Sequence, residues 1–210
     1  DKQWLFHQCF KEIWGSGVGD KTLGLFMGPV KQLEAWFPDI DKSVDRHEVL
    51  DMAEGLWAEF AHYCAFADAY DGMLTPGEEK MNPARTHSWP EDDVLGTLRY
   101  KHREEHGELG RRACQFTEGG YCTLFSEGMA LGRDSTAHDG RDALIAEACA
   151  KVYDDEFGHM LKGVAGLDRE GLSAEDWALM EKLTIEQLEL RIDMRNAQFG
   201  HPLSAARVAE

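Results

Sequence analysis

The chain has 210 residues, of which 43% are hydrophobic and six are Trp, a composition typical of a packed globular domain. Its formal net charge of −17 disfavours nucleic acids and anionic membranes as partners, because both require a positive protein surface. Five Cys without a Cys-x-x-Cys pair, no run of about 18 apolar residues and no secretory leader favour a reducing cytoplasm. We therefore expect a single cytoplasmic domain over residues 1–210.

The N-terminal half predicts helices followed by a long loop. Residues 3–14 are helical in character, and after the glycine-rich stretch 15–19 a helix resumes, with a kink expected at Pro29. The next helix, from about Val44 to Tyr70, has apolar residues at a sustained three-four period. Repeated turn dipeptides then predict a loop over residues 71–93.

That loop is long for a compact domain and requires a physical reason. A bundle whose second and third helices run parallel supplies one, because the chain must cross the length of the bundle. The C-terminal half predicts a third helix from about Asp93 to Leu131, a polar turn over 133–141 and a fourth helix from Asp142 to about Val164. A fifth helix is predicted over 174–199, and no strand is expected.

Two Glu-x-x-His pairs lie on separate predicted helices. Glu59 and His62 share one face of the second helix, and Glu156 and His159 share one face of the fourth, because residues three apart are neighbours on a helix. A four-helix bundle uses two such pairs to build a two-metal carboxylate site in its core, with one further carboxylate from each of the other two helices.

Helix register identifies the two further carboxylates. Glu118 and Glu156 are equidistant from residue 137, the centre of the 133–141 turn, so an antiparallel pair of helices places them at one height. The same argument, with a turn near residue 41, favours Asp20 as the partner of Glu59. Glu12 is the alternative. It lies about eight residues before Asp20, which is roughly 12 Å along a helix. Asp20 also suits the N-cap of a helix beginning at residue 21.

In this pattern the chain resembles the ferritin-like di-iron carboxylate superfamily over roughly residues 4–164, with Asp155-Glu156-x-x-His159 as the most specific part. The resemblance implies a four-helix bundle with a long crossover between helices 2 and 3, and the segment 174–199 as an accessory helix. It implies two iron ions, or manganese, since similar N/O ligand sets accept both. The implied metal ligands are Asp20 or Glu12, Glu59, His62, Glu118, Glu156 and His159.

The resemblance also implies an activity, that of a non-haem di-iron oxidase or oxygenase that activates dioxygen to oxidise a small molecule. The carboxylates of Glu59, Glu118 and Glu156 would take part in catalysis at the metals. Asp155 would accept a hydrogen bond from a ligand histidine, and Tyr121 would hydrogen-bond in the site or only pack. The resemblance does not identify the electron donor, and it is compatible with a homodimer. The glycine-rich stretch 15–19 departs from the family's first helix.

Three alternatives remain at the level of sequence. The same ligands occur in ferritin-like iron storage, which needs a large cage. In the haem-oxygenase-like di-metal oxidases Asp155 and His159 would bind the metal instead of Glu156. A helical interaction domain without metal is the third. Arg191 and Arg195 are expected to form surface salt bridges rather than to anchor an anionic substrate, and His102 is expected at the surface. Two adjacent glycines, Gly119 and Gly120, predict a crowded helix contact.

Overall fold

The structure, a computed structural model, describes residues 1–15, 28–133, 140–167 and 171–208, except for the side chains of residues 159 and 162. The described residues form helices and no strand, which confirms the predicted all-α class. None of their helices is both long and apolar enough to cross a membrane. Two compact units divide the chain, residues 2–87 and residues 88–210. The predictions of a single domain and of a ferritin-like bundle stay predictions.

In the first unit the described residues form three α-helices, a π-helical turn and two short 3-10 turns. The α-helices are α1 Lys2–Phe10, which continues into the π-helical turn Lys11–Gly15, α2 Pro29–Trp36 and α3 Arg46–Gly72. The second unit contains α4 Pro90–Phe116, α5 Gly119–Leu131, α6 Arg141–Val164, α7 Ala174–Gln198 and the short α8 Ala205–Val208.

The core of the first unit forms where α1 packs on α3. The rings of Trp4 and Phe66 meet edge to face with centroids 5.6 Å apart, and Leu5 and Cys9 are fully buried beside them. Each fully buried large apolar side chain stabilises the fold by about 1.5–3 kcal/mol. This packing fixes the orientation of α3 relative to α1. It therefore also fixes the direction of the His62 side chain, which comes two residues after Phe60 on α3.

The connection between α3 and α4 covers residues 73–89 and confirms the predicted long loop. Hydrogen bonds within the first unit hold this connection in place. The carboxylate of Glu78 accepts hydrogen bonds from Lys2 Nζ at 2.5 Å and from the Thr75 N–H at 2.6 Å, and these donors lower the pKa of Glu78 to about 2. Trp14 Nε1 donates to the Pro83 carbonyl oxygen at 3.1 Å. The predicted crossover along a bundle stays a prediction.

The helix α4 is not straight, because the chain folds back on itself at Gly107. The backbone there is non-helical (φ 51°, ψ −120°), a conformation that glycine adopts readily. A straight helix would separate Arg99 and Cys114 by about 22 Å, yet Arg99 Nη2 donates to the Cys114 carbonyl oxygen at 3.2 Å. The prediction of one helix from Asp93 to Leu131 is therefore wrong. Charged residues that favour helix lie on both sides of Gly107, so the sequence does not indicate a turn there.

Glycines allow α5 and α6 to approach each other closely. A Cβ atom at Gly128 would lie 2.3 Å from Sγ of Cys149, and one at Gly119 would lie 2.7 Å from Sδ of Met160. Real Cβ atoms do not come this close to their neighbours, so a larger residue at either position would force a shift. The predicted crowding at Gly119 is thus confirmed, and the bulky neighbour is a methionine.

A buried polar network joins α4 to α7. Nδ1 of His102 lies 3.0 Å from the amide nitrogen of Gln187, and Nε2 lies 3.2 Å from a carboxylate oxygen of Glu186. The amide N–H donates to Nδ1, so the ring proton is on Nε2 and is donated to Glu186. His102 is buried, which corrects the prediction that it lies at the surface. The sequence around it is charged, but the fold-back at Gly107 turns this one side chain inward.

This network predicts a pH dependence of stability. Burial lowers the pKa of His102 below 6.5, with His106 and Lys101 acting in the same direction and Glu186 opposing them. The unfolded chain therefore binds the proton more readily, and the free energy of unfolding should fall as the pH is lowered through 6.5. Urea denaturation between pH 5 and 7.5 measures this slope.

In the variant His102→Asn the amide oxygen still accepts from Gln187, but nothing titrates at this position. The slope should become shallower, whereas the replacement of exposed His47 by Asn should leave it in place. An unchanged slope in His102→Asn would contradict this account.

Candidate metal centre

A buried carboxylate lies at the end of the first helical segment. Glu12 belongs to the π-helical turn that continues α1, and it is 3% exposed. Its Oε1 accepts a hydrogen bond from Nε2 of Gln8 at 2.5 Å, one turn earlier. Among the described residues no Lys or Arg nitrogen lies within 4.0 Å of it. A buried carboxylate without a Lys or Arg partner is costly unless another cation compensates its charge.

The imidazole of His62 lies beside this carboxylate. His62 is in the middle of α3 and is 1% exposed. Its Nδ1 is 3.6 Å from Oε2 of Glu12 and 3.9 Å from Oε2 of Glu59, whose side chain is 19% exposed. The helical spacing of three residues accounts for the second contact, and the packing of α1 on α3 accounts for the first.

These distances fit a shared metal ion. Two ligand atoms that are each about 2.1 Å from one metal are separated by about 3.0 Å when cis and about 4.2 Å when trans in octahedral geometry. The separations of 3.6 and 3.9 Å at His62 lie inside that range. One imidazole and two carboxylates are also a ligand set that suits iron and manganese. Glu12 and Glu59 therefore each fit a metal as a ligand paired with His62.

Of the two predicted ligands from the first helix, Glu12 is beside His62. Asp20 lies outside the described residues, so its predicted role stays a prediction. The expectation that Glu12 lies about 12 Å along the helix from the site is wrong. That expectation placed Glu12 and Asp20 on one continuous helix that ends at the turn near residue 41, whereas Glu12 lies in the π-helical turn after α1 and α2 is a separate helix. The π-helical turn also widens the helix at Glu12.

The second unit carries the other predicted ligands. Glu118 lies in the break between α4 and α5, and one of its carboxylate oxygens is 3.2 Å from Nη2 of Arg99. Glu156 is 6% exposed, whereas its neighbour Asp155 is exposed. His159 belongs to α6, and its side chain lies outside the described part of the chain. Glu118 is therefore engaged by a guanidinium, and Glu156 is the inward carboxylate of the Asp-Glu pair.

The register of α5 against α6 differs from the predicted one. Residue 119 contacts residue 160, and residue 128 contacts residue 149. The midpoints of these two pairs in the chain lie within one residue of 139, whereas the predicted midpoint is 137. Glu156 is accordingly close to Cys122, and both burial and the Glu156 carboxylate raise the pKa of that thiol. The expectation that Glu118 and Glu156 lie at one height is therefore off by about one helical turn.

The predicted surface position of Arg191 is also wrong. Tyr121 is buried, and the guanidinium carbons of Arg191 and Arg195 lie 4.5 and 4.3 Å from the centre of its ring. The predicted role of Tyr121 in a hydrogen-bonded metal site stays a prediction; its described ring contacts are with these two cations and with the stacked ring of Phe125. The sequence showed the one-turn spacing of the arginines but not the aromatic ring that both contact.

Sequence reasoning missed Gln8 as a site residue. It is fully buried and holds the Glu12 carboxylate in place. The available signal was its position one turn before Glu12 on an otherwise apolar segment, which is weak by itself.

No protein-family model, curated protein or solved structure matches this chain. Its function is therefore inferred from its own residues and their geometry.

Proposed function

We propose that the chain is a non-haem di-iron oxidase or oxygenase that uses dioxygen to oxidise a small molecule. The observation that carries the proposal is the group of Glu12, Glu59 and His62, in which the buried Glu12 carboxylate lies beside the buried His62 imidazole and has no Lys or Arg partner among the described residues. A polar cluster of this kind is costly without a cation and favourable with one. Manganese is the alternative metal.

The proposal divides the ligands into two half-sets. Glu12, Glu59 and His62 form the first, with Asp20 as the remaining candidate for the acid of the first helix. The second half-set follows the sequence pattern and consists of Glu118, Glu156 and His159. The burial of Glu156 beside an exposed Asp155 supports the ferritin-like assignment over the haem-oxygenase-like one, in which Asp155 would bind the metal.

Each residue of the first half-set has a distinct task. Gln8 donates to one oxygen of Glu12 and leaves Oε2 directed at His62. His62 is held by the packed face of α3, so its ring is pre-oriented before a ligand arrives. Glu59 is the most exposed of the three, and its carboxylate can change its mode of binding as a reaction proceeds. When bound, the irons would supply the redox chemistry that activates dioxygen.

In the second half-set Arg99 has a specific consequence. Its guanidinium donates to one oxygen of Glu118 and leaves the other oxygen of this carboxylate for a metal. Arg99 would then position this carboxylate and act as its counter-ion. A cytoplasmic location, a homodimer and the identity of the electron donor remain outside this proposal.

Rapid mixing of the ferrous protein with oxygenated buffer tests the proposed activity. Protein loaded with Fe(II) under anaerobic conditions should consume dioxygen at least about tenfold faster than the same Fe(II) in buffer, a barrier difference of about 1.4 kcal/mol or more. The oxygen electrode gives the rate, and the ferric absorbance gives the iron oxidised.

The variant Glu59→Gln should lose this advantage, and the exposed control Glu54→Gln should keep it. Equal rates with and without the protein would contradict the proposal. A cage of many chains in light scattering would instead favour iron storage.

A further inference from the structure

Arg191 is a buried cation whose hydrogen bonds are incomplete. It is 3% exposed, and its Nη2 donates to the hydroxyl of Thr117 at 3.3 Å. Its Nε and Nη1 are buried and have no hydrogen-bond partner among the described residues. No carboxylate of the described part of the chain lies within ion-pair distance of it. Most buried guanidinium groups are paired, so the two remaining donors of Arg191 are available to a ligand that accepts hydrogen bonds.

The neighbours of Arg191 increase the local positive charge. Arg195 lies one turn further along α7, and its guanidinium carbon is 4.3 Å from the centre of the same Tyr121 ring that Arg191 contacts at 4.5 Å. A ring face attracts a cation, but this attraction is smaller than the cost of removing the cation from water. Two like charges beside one ring also repel each other. Arg195 also donates to Oε1 of Gln198, whereas Nε and Nη1 of Arg191 have no such partner among the described residues.

The side chain of Arg191 is held in place from several directions. Thr117 contacts its Nη2, and the Thr117 hydroxyl lies 3.2 Å from Oε1 of Gln187, which in turn contacts His102. At Gly120 a Cβ atom would lie 3.1 Å from Cδ of Arg191, so glycine leaves the space through which the arginine stem runs. The guanidinium is therefore pre-organised, which reduces the entropy lost when a ligand binds.

We propose that Arg191 and Arg195, stacked on Tyr121, form a binding site for an oxyanion, the carboxylate or phosphate group of a small molecule. Arginine suits such groups because its planar set of N–H donors matches their oxygens. Binding of the anion does not depend on a metal. The further reading that the anion is part of the oxidised substrate rests on the proposed oxygenase function, since Tyr121 follows Glu118 by one helical turn.

Calorimetric titration of the metal-free chain tests the site. Inorganic phosphate and acetate are added separately at constant ionic strength, with chloride as the reference anion. We expect phosphate, acetate or both to bind and to raise the melting temperature relative to chloride. The anion that binds identifies the group. Absence of binding by both anions would overturn the proposal, whatever the metal content of the protein.

Matched variants locate the binding. Arg191→Met keeps an unbranched apolar stem and removes the charged guanidinium, and it should weaken anion binding by about tenfold or more. Because it also removes an unpaired buried charge, it should fold at least as well as the wild type. The exposed control Arg103→Met should bind the anion as the wild type does. Unchanged affinity in Arg191→Met would overturn the proposal, and Arg195→Met provides a second test of the same kind.

Discussion

Replacing Glu12 by Gln is expected to abolish the stabilisation of the chain by Fe(II) or Mn(II) while leaving the metal-free protein at least as stable as the wild type. The two effects have one cause. The buried carboxylate has no Lys or Arg partner among the described residues, so its charge is costly without metal and favourable with it. The amide that replaces it still accepts the hydrogen bond from Gln8 but binds a cation poorly.

The stabilisation by metal that Glu12→Gln should lose follows from mass action. A metal present at 100 times its dissociation constant stabilises the folded state by about 2.7 kcal/mol. For a chain of this size that corresponds to a rise in melting temperature of about 5–10 °C. Differential scanning calorimetry under anaerobic conditions, with and without the metal, measures both states of each variant.

Two further variants make the result specific to the site. His62→Gln should lose the metal-dependent rise as Glu12→Gln does, because it removes the nitrogen nearest both carboxylates. Glu54→Gln changes an exposed carboxylate of α3 and should retain the full rise. A Glu12→Gln protein that is destabilised without metal and is still stabilised by it would show that Glu12 serves only the packing.

Replacing Gly110 by Ala is expected to destabilise the second unit by about 3 kcal/mol or more. A Cβ atom there would lie 2.0 Å from the carbonyl oxygen of His102, an atom of the opposite arm of α4. Backbone atoms cannot move aside as a flexible side chain can, so the two arms would have to separate. Melting temperature should fall by about 6–12 °C.

The same Gly→Ala substitution at an open helical position should stabilise the protein instead of destabilising it. Gly55 lies inside α3, and a Cβ atom there would meet nothing within 4 Å. Gly55→Ala should stabilise the helix by about 0.5–1 kcal/mol, because alanine has the higher helix propensity. Urea denaturation of both variants gives the comparison. A Gly110→Ala protein as stable as the wild type would mean that the chain does not fold back at Gly107.

Local patterns in the sequence predicted most of the helices. The three-four period of α3 and the turn dipeptides after it placed the helix and the long connection close to their observed bounds. The spacing of Glu59 and His62 required them to share a face, and in the structure they do. The glycine at 119 indicated a close contact, and Met160 provides it. Each of these features depends on residues that are near one another in the chain.

Features that depend on distant contacts were not predictable in the same way. The turn at Gly107 is a single glycine among charged residues that favour helix, so propensity alone gave a continuous helix. The position of Glu12 depends on how α1 packs on α3 across an intervening helix, which no spacing within either segment reveals. The burial of Arg191 depends on Tyr121 and Thr117, both about 70 residues earlier. Long-range packing, rather than local propensity, decides all three.

The iron content of the protein tests the central proposal most directly. Protein purified without chelators, loaded with Fe(II) under anaerobic conditions and desalted, should contain about two irons per chain by elemental analysis, the number that two Glu-x-x-His pairs and their partner carboxylates hold in di-iron bundles. Glu12→Gln protein treated in parallel should contain fewer. A wild-type protein that retains no iron, or holds zinc alone, would contradict the account.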